Sequence, residues 1–225
     1  ESLSLLEQLV QIDSSDIRYL SEAAACCSEL GEYRKARQYC IMSLNIQPGN
    51  PYLLLQAADA YYREKNYHEA SQYYLRAYGN DPDFYLARQL ARSYENLGLA
   101  DTAVFYYRAA LEMNPADYSS TYRLANIYKG KEEYMPGILL TDSYLEIDSN
   151  NIEMLKLNAF LCFLDEDFQK AQKGFERCLA LGDTSEFLNK YLGYSYFKTD
   201  AYGEAKTFLE KAWLEDTLNA DLCYI

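Results

Sequence analysis

The chain has one histidine among its 225 residues, His68, in the stretch Asn66-Tyr67-His68-Glu69-Ala70. An imidazole beside a carboxylate could move a proton, but a hydrolytic triad also needs a nucleophile and an orienting partner. At the start of a helical segment His68 reads as a solvated terminal residue. Six cysteines follow: Cys26, Cys27, Cys40, Cys162, Cys178 and Cys223. None forms a C-x-x-C pair, and a single histidine cannot complete the usual zinc spacings. All six sit in apolar helical stretches, so they read as small buried thiols, which suit a reducing compartment without requiring one. Tyr128-Lys129-Gly130-Lys131-Glu132-Glu133-Tyr134 lacks the spacing of a phosphate-binding loop. Asp165-Glu166-Asp167 lacks the alternating oxygen ligands and central glycine of a calcium loop. The residues therefore predict no active site, no cofactor and no metal.

What remains is binding. Net charge is −13, which argues against general contact with nucleic acid or an anionic membrane, since phosphate contacts need a surplus of Lys and Arg. No apolar run approaches the roughly 20 residues that span a bilayer. Glu1-Ser2-Leu3-Ser4-Leu5-Leu6 lacks the basic start of a signal peptide. Glu1 is not a methionine, so processing or trimming upstream is expected, and the compartment stays open between cytoplasmic and exported.

The elements that must position any binding residues repeat along the chain. Pro48, Pro82 and Pro115 close similar tails and lie 34 and 33 residues apart. Ser149, Asp183 and Thr217 continue the slot, and Ser14 precedes it. Twelve residues before the slot stands an alanine in most units: Ala36, Ala70, Ala103, Ala171, Ala205. An aromatic three residues earlier marks a turn: Tyr33, Tyr67, Phe168, Tyr202. Each turn separates two amphipathic stretches, which predicts helix-turn-helix units.

In this frame a small residue recurs in the first helix at Ala24, Ala58, Ala91, Ala125, Ala159 and Gly193. Three residues on come Cys27, Tyr61, Tyr94, Tyr128, Cys162 and Tyr196. The second helix carries Tyr74, Tyr107 and Phe175, with Cys40, Thr141 and Leu209 departing. Ala77, Ala110 and Ala212 follow, with Ser43, Tyr144 and Cys178 departing. This pattern resembles the tetratricopeptide repeat family over nearly the whole chain. The expected organisation is a half repeat at 1–16, repeats at 17–50, 51–83, 84–117, 118–151, 152–185 and 186–219, and the start of a further helix at 220–225. The fourth repeat is degenerate: Met135-Pro136-Gly137 opens its second helix, and Gly137 replaces the packing alanine. It is expected to be the softest repeat, or one whose second helix packs differently. Within each pair the alanines predict close helix approach, and Tyr61, Tyr67 and Tyr74 are expected to fill the gaps to the next pair.

The resemblance implies an all-α, right-handed α-solenoid of stacked antiparallel helix pairs, with the first helices forming a concave wall. It also implies a non-enzymatic scaffold that holds a partner protein or extended peptide in that groove. Residues on the first helices pointing away from each pair's own core then become candidate contacts: Arg88, Arg92, Asn96, Tyr122, Arg123, Asn126, Lys129, Lys156, Phe160, Phe163, Lys190 and Tyr194. This set is basic and aromatic in an acidic chain, so it predicts a peptide with acidic and apolar residues. The competing expectation is a structural spacer, or an arm through which two copies associate by the aromatic residues Phe160, Phe163, Tyr194 and Phe197.

Overall fold

The computed structural model describes residues 2–215. Thr217, Cys223 and the expected start of a helix at 220–225 lie outside the described residues. The chain divides into two compact units, residues 1–115 and 116–225. The first holds α1 (Ser2–Ile12), α2 (Ile17–Glu29), α3 (Tyr33–Ile46), α4 (Pro51–Arg63), α5 (Tyr67–Asn80), α6 (Phe84–Asn96) and α7 (Ala100–Met113). The second holds α8 (Tyr118–Gly130), α9 (Tyr134–Ile147), α10 (Ile152–Leu164), α11 (Phe168–Ala180), α12 (Glu186–Lys198) and α13 (Tyr202–Glu215). There is no strand among the described residues, and within each unit every helix packs on the helix before and after it. Each unit is all-α, a stack of antiparallel helix pairs of the kind found in α-solenoids.

Two kinds of junction alternate. First helices start at a polar cap: Asp16, Asn50, Asp83, Asp117, Asn151 and Ser185 each accept a hydrogen bond from a first-turn N–H. Such caps contribute about 1 kcal/mol each. Second helices starting after Glu32, Asn66, Leu99 and Glu133 have no side-chain cap bond. There the turn itself does the work. The N–H of Glu32, Asn66, Leu99, Glu133, Asp167 and Ala201 donates to the carbonyl of Cys27, Tyr61, Tyr94, Tyr128, Cys162 and Tyr196 at 2.8–2.9 Å. This closure requires a left-handed residue just before the donor. Gly31 and Gly98 supply it without strain, whereas Lys65, Glu132, Glu166 and Asp200 adopt φ near +60° with a side chain present.

The core is built from the repeating frame. Ala24, Ala58, Ala91, Ala125 and Ala159 are fully buried, as are Ala36, Ala70, Ala103 and Ala171. Tyr74, Tyr107 and Phe175 are 0% exposed, the largest side chains so enclosed. The two phenols are satisfied across the pair: Tyr74 Oη donates to Asp59, and Tyr107 Oη to Glu95 at 2.5 Å. A second ring layer stacks within pairs, Tyr61 on Tyr73, Tyr94 on Tyr106 and Tyr196 on Phe208, at 5.3, 5.5 and 5.7 Å. Tyr67 is half-buried, and its ring meets Tyr62 of its own pair edge-on at 5.2 Å.

The second unit shows how α9 fits its irregular sequence. Pro136 sits in the first turn, where its missing N–H matters little, and the helix runs unbroken to Ile147. Gly137 is buried because Leu161 Cδ1 would lie 3.1 Å from an added Cβ. Thr141, in the aromatic slot, accepts a hydrogen bond from Asn158 Nδ2 at 2.8 Å, and the same amide reaches Asp142 Oδ1 at 2.8 Å. A buried polar tie thus stands where other pairs have a ring. At Gly193 the helices approach still closer: an added Cβ would lie 2.8 Å from Leu209 Cγ and 3.2 Å from its backbone N.

Candidate functional site

Because α1, α3, α5, α7, α9, α11 and α13 alternate with the others, the remaining helices form one face of each unit. In the first unit α2 touches α4; in the second, α10 touches both α8 and α12. Each unit has a pocket on this face.

The second unit's pocket has a volume of about 210 Å³. Tyr122, Asn126 and Lys129 on α8 form one side, Lys156 and Phe160 on α10 the floor, and Phe187 on α12 the far side. The one-turn spacing of Tyr122, Asn126 and Lys129 places them along one helical ridge. Asn126 Nδ2 donates to the Tyr122 carbonyl at 2.8 Å, and its Oδ1 accepts from Lys129 Nζ at 2.6 Å. Lys129 lies 5.7 Å from the Phe160 ring centroid. Among the described residues it has no carboxylate within ion-pair distance. Lys156 is different: Glu153 and Asp183 hold it at 2.7 and 3.3 Å. Burial alone would lower its pKa, but the two carboxylates outweigh that and raise it. Lys156 is a committed cation and Lys129 an uncommitted one.

Aromatic rings continue from this pocket along α10 and α12. Phe160 meets Phe187 and Tyr191 at 5.3 and 4.7 Å, and Phe163 meets Tyr191 and Tyr194 at 5.4 and 6.5 Å. Mutual contact leaves Phe160, Phe163 and Tyr194 half-buried, while Phe187 and Phe197 are 38% and 41% exposed. Lys190 is half-buried on the same helix and does not line the pocket; neither does the half-buried Arg123. Phe187, Glu153 and Leu157 line it beyond the expected set. Phe187 carried a legible signal, an aromatic on the outward side of a first helix.

The first unit gathers the remaining expected residues. Arg92 lies 5.2 Å from the Tyr62 ring and donates to Gln89 Oε1 at 3.3 Å. Asn96 Nδ2 donates to Tyr62 Oη at 3.2 Å and to the Arg92 carbonyl at 2.7 Å. Arg88 packs over Phe84 and Tyr85 at 5.7 and 5.4 Å. Arg92 lines a pocket of about 310 Å³ with Asp59, Tyr62, Arg63, Tyr85 and Gln89. Asp59 stands outside the expected set, and Tyr74 reaches its carboxyl from the next helix.

The thiols and the imidazole are placed elsewhere. Cys27, Cys40, Cys162 and Cys178 are buried, and burial pushes Cys27 up to about 11 and the other three to about 12. These thiols carry almost no thiolate at neutral pH, so they are poor nucleophiles. Cys26 is half-buried. His68 is exposed, with Nε2 3.0 Å from Gln72. Among the described residues no three metal-ligating side chains cluster, and no helix is long and apolar enough to cross a membrane.

The tetratricopeptide repeat family model matches residues 51–84 and 89–117. A curated relative, tetratricopeptide repeat protein 21B of Xenopus laevis, is 28% identical over 146 residues, 65% of this chain. The chain spans about a tenth of that relative's length, 11%. Among solved structures, the C-terminal part of a TPR repeat-containing protein from Cytophaga hutchinsonii superposes with a TM-score of 0.82 at 16% identity, covering 98% of this chain and 92% of that one. YrrB, described as a TPR protein with an unusual peptide-binding site, gives 0.69 at 14% identity, covering 81% and 95%.

Proposed function

We propose, from the premise that this chain is a stack of tetratricopeptide repeats, that it is a scaffold whose first-helix faces hold a partner protein. A helical repeat stack is suited to protein interaction; here four thiols are buried and the one histidine is exposed. In the second unit the partner presents an apolar side chain to Phe160 and Phe187 and a carboxylate to Lys129. One observation carries this reading: Lys129 stands over an aromatic floor without an acidic neighbour in ion-pair contact, while Lys156 beside it is neutralised by Glu153 and Asp183. A cation kept uncommitted at an apolar pocket suits an amphiphilic anion, because rings supply buried area and the ammonium supplies charge recognition. YrrB, which shares the fold, is described as a TPR protein with an unusual peptide-binding site; the residues proposed here are this chain's own.

Selection from a random peptide display library tests the proposal. The expected result is enrichment of peptides with an acidic residue next to an apolar one, lost in the Lys129→Glu, Phe160→Ser double variant. An enriched pool indifferent to the double variant, or no enrichment, would contradict it. Circular dichroism must show the same helical signal for both chains.

A further inference from the structure

The first unit's pocket has a different chemistry from the second's, and nothing in the groove reading above assigns it a ligand. Its walls carry two acids, Glu29 and Asp59, and two bases, Arg63 and Arg92. Asp59 and Arg92 face the same space but are not in ion-pair contact. Asp59 Oδ1 accepts from Tyr74 Oη. Tyr74 is a fully buried ring, so that carboxyl lies at the base of the pocket, and Oδ2 is left as an acceptor. Arg92 spends one long N–H bond on Gln89 and otherwise rests on Tyr62. Its Nε is buried without a hydrogen-bond partner, a donor left unspent at the pocket wall. Tyr62 and Tyr85 flank the gap.

We propose that this pocket receives the side-chain carboxamide of a partner peptide, a glutamine in preference to the shorter asparagine, with its carbonyl accepting from Arg92 and its NH₂ donating to Asp59. The inference rests on the reading of first-helix faces as partner-binding. Charge decides among ligands. A carboxylate would satisfy Arg92 but meet Asp59 and Glu29; an ammonium would satisfy Asp59 but meet Arg63 and Arg92. A carboxamide is neutral and offers one acceptor and two donors, which matches a separated acid and base. Burial matters as well. The site is dry enough to raise the pKa of Asp59 by desolvation, despite the Tyr74 hydrogen bond and the two arginines that oppose it. Desolvating a second ion there costs more than desolvating a hydrogen-bonded amide.

The test uses four blocked peptides, acetyl-Ala-Ala-Xaa-Ala-Ala-N-methylamide, with Xaa glutamine, glutamate, lysine or norleucine. Binding is followed by NMR of ring-labelled tyrosines at Tyr62 and Tyr85. The glutamine peptide is expected to bind about tenfold more tightly than each of the others, the worth of one or two well-made hydrogen bonds. Asp59→Asn keeps an oxygen for Tyr74 but loses the carboxylate acceptor; Arg92→Met loses the donor. Each should erase the preference with helicity unchanged. The Lys129→Glu, Phe160→Ser variant, altered in the other unit, should keep it. Equal binding of all four peptides would mean backbone recognition and overturn the proposal. So would a preference for glutamate that grows as pH falls, or no binding at all. None of those results bears on peptide selection through Lys129 and Phe160, so the two readings fail separately.

Discussion

Two single residues illustrate how local environment, more than residue type, sets behaviour. Asp59 is held above its ordinary value of 3.8 chiefly by burial. The sign of its effect on stability follows. The unfolded chain loses this proton at lower pH than the folded chain does. As pH rises from the ordinary carboxylate value through the folded value, the unfolded state binds fewer protons and stability falls. Replacing Asp59 with Asn keeps an acceptor for Tyr74 and removes the ionisation. Urea unfolding should therefore show Asp59→Asn at least as stable as the parent at pH 7, with the parent gaining relative to the variant as pH is lowered towards about 4. The opposite trend would mean that the ionised form is the one the fold favours. Gly193 is set by space. A methyl there meets Leu209 side chain and backbone together, so Gly193→Ala should lower stability by about 1–3 kcal/mol. This outweighs the gain of roughly 1 kcal/mol in helix propensity.

At the scale of elements, the turns inside the pairs carry a prediction of their own. Lys65 holds φ of +62° to close α4 onto α5. A left-handed residue with a side chain costs about 1–2 kcal/mol, and a glycine recovers most of that while losing roughly 0.5–1 kcal/mol in chain entropy. Lys65→Gly is expected to stabilise by about 0.5 kcal/mol in equilibrium unfolding, and a clear loss would show that Lys65 contributes a contact worth more than the strain. These turns also explain what could be read from sequence. The alanine and aromatic frame was legible because small and large residues recur at fixed offsets on one helical face. The left-handed positions were hidden at Lys65, Glu132, Glu166 and Asp200 because only Gly31 and Gly98 advertise them by type. Lys129 and Phe160 could be placed on the outward face of first helices from the repeat frame together with the family resemblance. The neutralisation of Lys156 could not, because Asp183 arrives from the loop after the neighbouring helix. The Asn158–Thr141 tie was equally hidden, since a departure from the pattern does not say what replaces it.

At the scale of the molecule, stability in a solenoid is carried by each pair and its neighbours. Damage should therefore stay local. In amide hydrogen exchange, Gly193→Ala is expected to speed exchange in α12 and α13, with a smaller effect in α11 and none in α8. Equal acceleration across the whole second unit would show that it unfolds as one block. The proposal places the partner on the first-helix faces of the stacked pairs. The most direct measurement of that claim places a photo-crosslinking benzoylphenylalanine at Phe187 in one chain and at Leu139, exposed on α9, in another. Each is irradiated with a peptide selected by display. The account predicts an adduct from position 187 and none from position 139; crosslinking from 139 alone would place the partner on the second helices and contradict it.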